Sequence, residues 1–226
     1  MPRFDGSGST LQSERAYREL KKLILDNRLS AGAQLLEHEA AELLDMSRTP
    51  VREAMLRLQQ EGMVEIRPRH GMRILPVSAD DMRQIYEVIT SLESTAAYLV
   101  AERGLSETQL AQLSDAVAAM DSALDADNLV KWSEADEQFH FLLVQFSENL
   151  RLIQMIGQLW DQAHRVRLLT LRLRPKPIKS NRDHEALVSA IRKRDAEAAR
   201  QIHQDHRRKA GKMLTMLLKT LGLTQL

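Results

Sequence analysis

At 226 residues, with a net charge of +1 and no cysteine, the chain is long enough for one large or two small domains, and disulfide and thiolate chemistry are closed to it. Aromatic residues make up only 4%, Leu and Ala abound, and turn residues are few, which favours an all-helical protein. No apolar run approaches a membrane span, and the Gly/Ser-rich stretch 1–10 lacks the apolar centre of a signal peptide, so a flexible tail on a cytoplasmic protein with no membrane partner is expected.

The first periodic segment is 13–27, where Ala16, Leu20, Leu23 and Ile24 recur at three- and four-residue spacing. A loop over 28–33 leads to a second helix, 36–44, which packs through Ala40, Leu43 and Leu44 and carries His38 on its polar face. Then comes Ser47-Arg48-Thr49-Pro50-Val51-Arg52-Glu53-Ala54. Ser47 is placed to cap a helix. Pro50 falls in the first turn, where its missing N–H has no partner to lose. Val51, Ala54, Met55 and Leu58 form a buried stripe. Arg48, Thr49 and Arg52 lie at or near the N-terminal end, off that stripe. Alone, the segment suits either an amphipathic helix with solvated arginines or the second helix of a helix-turn-helix, whose N-terminal end meets base edges in the major groove.

The residues that follow decide between these. Gly62 ends the helix. The apolar-rich runs 63–66 and 72–75 flank Pro68 and Gly71, which suits a small β-hairpin, a wing. Its tip carries Arg67, Arg69 and His70, with Arg73 just beyond and no acid, and a cationic tip suits a phosphate backbone or a minor groove. Net charge does not announce this: residues 1–76 hold 12 Lys/Arg against 11 Asp/Glu, so the basic character is local.

Residues 11–76 resemble the winged helix-turn-helix domain of the GntR family of bacterial transcription regulators. Leu35, Glu37, Ala41, the run from Ser47 to Ala54, Leu58, Glu61-Gly62, Val64, Pro68 and Gly71 carry the resemblance. Where the family usually has Gly-Val before the serine, this chain has Asp45-Met46, and Asp tolerates the turn conformation Gly often supplies. The reading assigns contacts with a double-stranded operator to His38, Ser47, Arg48, Thr49 and Arg52, and to Arg69, His70 and Gly71 of the wing.

Pro76 stops the wing strand, and Ser78 with Asp81 marks a helix start, so a second domain is expected over 77–226. Its helices read as 80–103, with Ile85, Val88, Ile89, Leu92, Ala96 and Leu99 buried; 106–124, capped by Ser106; one capped by Asp127 to about 147; one capped by Asn149 to about 171; 180–194; and one capped by Asp195 to about 221. Six helices and no strand give an antiparallel all-helical bundle. Between Gln162 and Arg182 lie seven Lys/Arg and no acid. Most of these suit a solvated helix end and loop; Arg165 or Arg172, turned inward, would suit an anionic effector.

Four residues of the bundle invite a metal. Asp136 and His140, four apart, share a helix face, and His184 and His206 fall on the last two helices. Three imidazoles and a carboxylate suit Zn, Ni or a similar divalent ion, and bundles build such sites between facing helices. Spacing alone suits ordinary core histidines as well. Residues 80–221 resemble the FCD-type effector domain of the FadR-like branch of the same family, through Tyr86-Glu87-Val88, Leu92-Glu93, Ala96-Ala97, Asp136 with Phe139-His140, His184 with Leu187, Ala190-Ile191, Asp195, Ala198 and His206. That resemblance implies a divalent metal on Asp136, His140, His184 and His206 and a small carboxylate effector beside it. His203 becomes a ligand only if the last helix is rotated. The arginine that many members carry shortly after Tyr-Glu-Val is absent; here the stretch is Ile89-Thr90-Ser91.

The expected function is a homodimeric regulator, a repressor, that binds a near-palindromic operator and responds to a small metabolite. The alternative is a DNA-binding dimer whose bundle only dimerises, with a structural metal or none. A helical metal-dependent hydrolase fits less well: none of the seven histidines is followed by Asp, so the His-Asp pair of the common helical phosphohydrolases is missing.

Overall fold

The computed structural model describes residues 6–220, and its contacts divide the chain into two compact units, one up to Ser78 and one from Ala79. The first unit opens with α1 (Gly6–Leu25), β1 (Gln34–Leu35) and α2 (Glu37–Leu44). It continues with α3 (Arg48–Gln60), β2 (Val64–Arg67) and β3 (Gly71–Ile74). Helix α1 starts well before residue 13, within the stretch expected to be a tail; residues 1–5 of that stretch lie outside the described residues. The three strands form an antiparallel sheet in the order β1-β3-β2, with Val64 opposite Ile74 and Arg67 opposite Gly71. Strand β1 was not expected from the sequence; it pairs Gln34 with Arg73 and Leu35 with Met72, and a two-residue strand leaves no alternation to read. Leu20, Ile24, Ala40, Val51, Met55, Leu58, Met72 and Ile74 meet in one core.

Two local features set the helix-turn-helix. Asp45 takes φ 50°, ψ 55° at the end of α2, the left-handed geometry expected where the family usually has Gly. Ser47 holds an extended backbone before α3, but its side chain makes no capping hydrogen bond, a departure from its expected capping role. At the other end of α3, the Tyr17 hydroxyl donates to Glu61 Oε1 at 2.7 Å, and the Arg57 guanidinium lies 3.5 Å above the Tyr17 ring. These contacts fix α3 on α1.

The second unit contains α4 (Ala79–Arg103), α5 (Glu107–Asp125), α6 (Leu129–Phe146) and α7 (Leu150–Leu169). A 3-10 turn (Leu171–Leu173), α8 (Ile178–Arg192) and α9 (Ala196–Thr220) complete it. Residue 221 of the last predicted helix lies outside the described residues. Ser106 caps α5, accepting from the Gln109 N–H, and Asn149 caps α7, accepting from Arg151 and Leu152. The cap of α6 is Asn128, which accepts from the Lys131 N–H at 3.0 Å. Asp127, expected in that role, takes φ 53° and ends α5 instead. Arg194 likewise takes φ 57°, so α8 stops earlier than its apolar pattern suggested. Phe139, Leu113, Met120, Leu187 and Ile191 lie in the main core. The Trp132 indole donates to Asn181 Oδ1 at 2.8 Å, and Asn181 Nδ2 donates to Asp121 at 2.6 Å, so α6, α8 and α5 are tied by one polar chain. Of the α4 residues expected inside, Ile85, Ile89 and Ala96 are buried, Leu92 and Leu99 are half-buried, and Val88 is exposed; the i+4 step from Ile89 brings Glu93 into the interior. Among the described residues no helix is long and apolar enough to cross a membrane.

Candidate functional site

In the first unit, burial of Pro50, Val51, Ala54, Met55 and Leu58 on the core side of α3 turns Arg48, Thr49 and Arg52 outward, and all three are exposed. His38, Ser47 and Arg48 border one shallow hollow between the ends of α2 and α3. Arg52 Nε lies 3.8 Å from Glu37 Oε1, both largely exposed, a distance at which the guanidinium stays free to turn. On the wing, Arg69 and His70 are exposed. Arg67, counted with them in the sequence, folds back on Glu65 at 2.8 Å. Gly71 is needed for the backbone: at φ +69° a Cβ there would lie 2.3 Å from the Leu35 carbonyl oxygen, so it lets β3 pass against β1.

In the second unit, α6, α8 and α9 bring Asp136, His140, His184 and His206 together. Each is buried, and each offers a ligand atom within 4.8 Å of the others. His140 Nε2 and His184 Nε2 are 3.2 Å apart, and Asp136 Oδ1 is 3.7 Å from each. Donors on one divalent ion, at metal–nitrogen distances of about 2.0–2.1 Å, stand roughly 3 Å or slightly more apart, so this donor set fits such an ion. Burial holds His140 and His184 well below the ordinary imidazole pKa, aided for His140 by Arg207 and for His184 by His206. Both rings are therefore neutral, the form a metal takes.

Behind this cluster lies a residue the sequence reading left unassigned. Glu93 is fully buried. Its carboxylate accepts from Arg207 Nε at 2.6 Å and Nη2 at 2.7 Å, and from the Trp160 indole at 2.7 Å. His203 Nε2 sits at 2.9 Å and His140 Nδ1 at 3.3 Å with poorer alignment. Burial alone would raise the Glu93 pKa; Arg207 and the two histidines outweigh it, and the carboxyl ends well below its usual value. With Nδ1 of His140 turned to a carboxylate, Nε2 is presented to the cluster, the arrangement that orients metal-bound histidines. His206 Nδ1 lies 3.6 Å from Asp183 in a looser version of the same relation. His203 belongs to the Glu93 network; burial drives its pKa down to about 4. Glu93, His140 and His203 also converge, but Arg207 occupies both Glu93 oxygens, so a cation there would face a guanidinium. Glu93 could have been found in the sequence, as a carboxylate on the i, i+4 row through Ile85 and Ile89.

A cavity of about 210 Å³ opens beside the cluster, lined by Asp136 and His206 and, on its apolar side, by Trp132, Leu171 and Met213. Its arginines are Arg167 and Arg174, with Arg207 behind. Arg165 and Arg172, the residues expected to face an effector, do not line it: Arg165 is buried elsewhere on α7 and Arg172 is exposed. Two helical steps turn the side chain by about 200°, and that separates Arg165 from Arg167. His164 pairs with Glu137 at 3.1 Å.

Residues 12–74 match the family described as bacterial regulatory proteins, gntR family, and residues 84–209 match the FCD domain. The chain is 41% identical over 142 residues to an uncharacterized HTH-type transcriptional regulator in the TAR-I ttuE-ttuC' intergenic region of Agrobacterium vitis, covering 62% of this chain and 83% of the relative. Among solved structures, E. coli McbR/YncC superposes with a TM-score of 0.78 at 23% identity, over 91% of this chain and 98% of that one. The Zn2+-bound FCD domain of TM0439 superposes with a TM-score of 0.50 at 23% identity, over 63% of this chain and 97% of that one. A winged helix-turn-helix followed by an FCD bundle, matched over both units, makes this chain a member of the GntR family of bacterial regulatory proteins, a transcription regulator and not an enzyme.

Proposed function

We propose that this regulator is a cytoplasmic homodimer that represses transcription from a near-palindromic operator and releases it when a small carboxylate binds beside a divalent metal. The observation that carries the reading is the convergence of Asp136, His140, His184 and His206 next to a cavity with arginines in its wall. The Zn2+-bound FCD domain of TM0439 supports a metal in this fold, and the donor set suits Zn or Ni. When bound, the ion supplies a fixed positive charge for one carboxylate oxygen. On the DNA side, Arg48, Thr49 and Arg52, with His38 and Ser47 beside them, read the major groove, and Arg69 and His70 hold the backbone, with Gly71 setting the wing. For the ligand to release DNA, it must bind the off-DNA state more tightly.

The test begins by melting the protein after chelation and again with added Zn2+ or Ni2+, since an ion that binds only the folded state raises the melting temperature. His140→Ala should abolish the rise. His184→Ala should keep operator affinity in the absence of ligand while losing the response to carboxylates. A melt that never moves, from protein carrying no tightly held metal, removes the metal. A normal ligand response in His184→Ala removes the coupling. A second reading, in which the bundle serves dimerisation and the metal is structural, is favoured by the Ile89-Thr90-Ser91 stretch, which holds no arginine. It predicts metal-dependent melting with operator affinity indifferent to every acid tried.

A further inference from the structure

Two arginines in the cavity wall carry unpartnered N–H groups that bear on ligand class. Arg167 is 8% exposed, and neither its Nε nor the buried Nε of Arg174 has a hydrogen-bond partner among the described residues. Arg174 Nη2 donates to the Arg167 backbone carbonyl at 2.8 Å, which anchors the Arg174 side chain beside Arg167. Arg167 otherwise reaches only Asp136 Oδ2 at 3.7 Å and Glu137 Oε1 at 3.9 Å, beyond hydrogen-bond length. Buried N–H donors in folded proteins are normally satisfied, and these line an open cavity.

The other cations of the cavity wall are paired or solvated. Arg207 is matched by Glu93, Lys209 by Asp183 at 3.7 Å and Lys176 by Asp127 at 2.6 Å. Lys179 is exposed to solvent. Arg167 and Arg174 together offset Asp136 and Glu137, and an imidazole that holds a metal ion does so in its neutral form. A divalent ion on the four-residue cluster therefore adds two positive charges without fixed counter-charge, and uncompensated buried charge is costly. A monocarboxylate would leave one of them unmatched.

We propose that the cavity takes a small acid with two anionic groups on a short carbon frame, one group beside the Asp136, His140, His184 and His206 cluster and the other on Arg167 and Arg174. This rests on reading the cluster as a metal centre with a carboxylate ligand, and it goes further by naming the second anion and the residues that select it. The volume of about 210 Å³ falls below the ~300–1,000 Å³ of sites for drug-sized ligands, so the frame is short. Trp132, Leu171 and Met213 flank it with apolar surface. The arginine pair comes from α7 and the turn after it, while the Ile89-Thr90-Ser91 stretch of α4 holds no arginine.

The experiment is calorimetry on the zinc-loaded full chain with malonate, succinate and glutarate, each against the monocarboxylate of equal carbon number. At least one diacid should bind about tenfold or more tighter than its partner, the gain of one charge-assisted contact. Arg174→Gln should erase most of that preference while leaving zinc affinity unchanged, and Arg174→Lys should keep part of it. Diacids and monoacids binding alike to zinc-loaded protein, or neither binding, overturns the inference and leaves the metal centre standing. A preference that survives Arg174→Gln overturns the assignment to the arginine pair. A chain that takes up no zinc overturns both, since the count then lacks its ion.

Discussion

Glu93 and Arg207 form the most heavily buried ion pair described in the bundle, 0% and 3% exposed at their side chains. Two effects compete there. Burying both charges is expensive, and the bidentate contact, with the Trp160 and His203 donors, offsets the cost. The pair is therefore no strong source of stability, but breaking it is damaging, because the survivor is left charged and alone. Arg207→Met should destabilise the bundle by about 3–5 kcal/mol, read as a lower urea midpoint at unchanged slope. The double variant Glu93→Gln with Arg207→Met should lose less than the single one, since no bare charge remains. A loss under about 1 kcal/mol, in the range of an exposed pair, would mean that the network does not form. At this scale the sequence was only partly legible. Asp136, His140, His184 and His206 were readable as a set through their types and the family resemblance, and the structure brings them together. Arg207 and Glu93 were not assigned, because a charged residue in a helix is assumed solvated until a partner is known. Arg165 and Arg172 were favoured over Arg167 and Arg174 because a basic run does not say which member turns inward.

Between elements, one contact governs how closely α9 approaches α4. A Cβ built at Gly211 would lie 2.8 Å from Tyr86 Cβ and 2.9 Å from its ring carbons. Gly211→Ala therefore has two opposed effects. Replacing a mid-helix glycine by alanine favours α9 by about 0.5–1 kcal/mol. Overpacking against the rigid base of Tyr86 costs about 1–3 kcal/mol, so the substitution should destabilise. Because Tyr86 also lines the cavity, the variant should weaken acid binding as well. A rise in melting temperature would show that the helices part without cost and that the close approach is incidental. Each α-helix was legible as an element, because 3.6-residue periodicity runs through its middle, though the Gly/Ser-rich start of α1 carries none. Boundaries were less so. Asp127 and Arg194 adopt left-handed geometry just past helix ends, and neither is a residue type that announces it as glycine does. Strand β1 exists only by pairing with β3, a long-range cause that no local pattern records.

At the scale of the whole molecule, a net charge of +1 leaves little general attraction for DNA, so affinity must come from a few placed cations. The proposed roles of α3 and the wing then separate by salt. Arg69, exposed at the wing tip, is assigned to phosphate. Each phosphate contact contributes about 0.9 to the slope of log affinity against log salt. In the proposed homodimer Arg69→Ala removes two such contacts, so the slope should fall by about 1.8, with operator and random DNA weakened alike. Arg48, exposed at the start of α3, is assigned to a base edge. Arg48→Ala should cost about 1–3 kcal/mol at each half-site, enough to abolish useful discrimination, while affinity for random DNA changes far less. Titrating both variants against operator and scrambled duplexes over a range of salt distinguishes the roles. Were Arg48→Ala to weaken both duplexes equally and flatten the slope, Arg48 would be a phosphate contact, and base reading would pass to Thr49 and Arg52 further along the same exposed face.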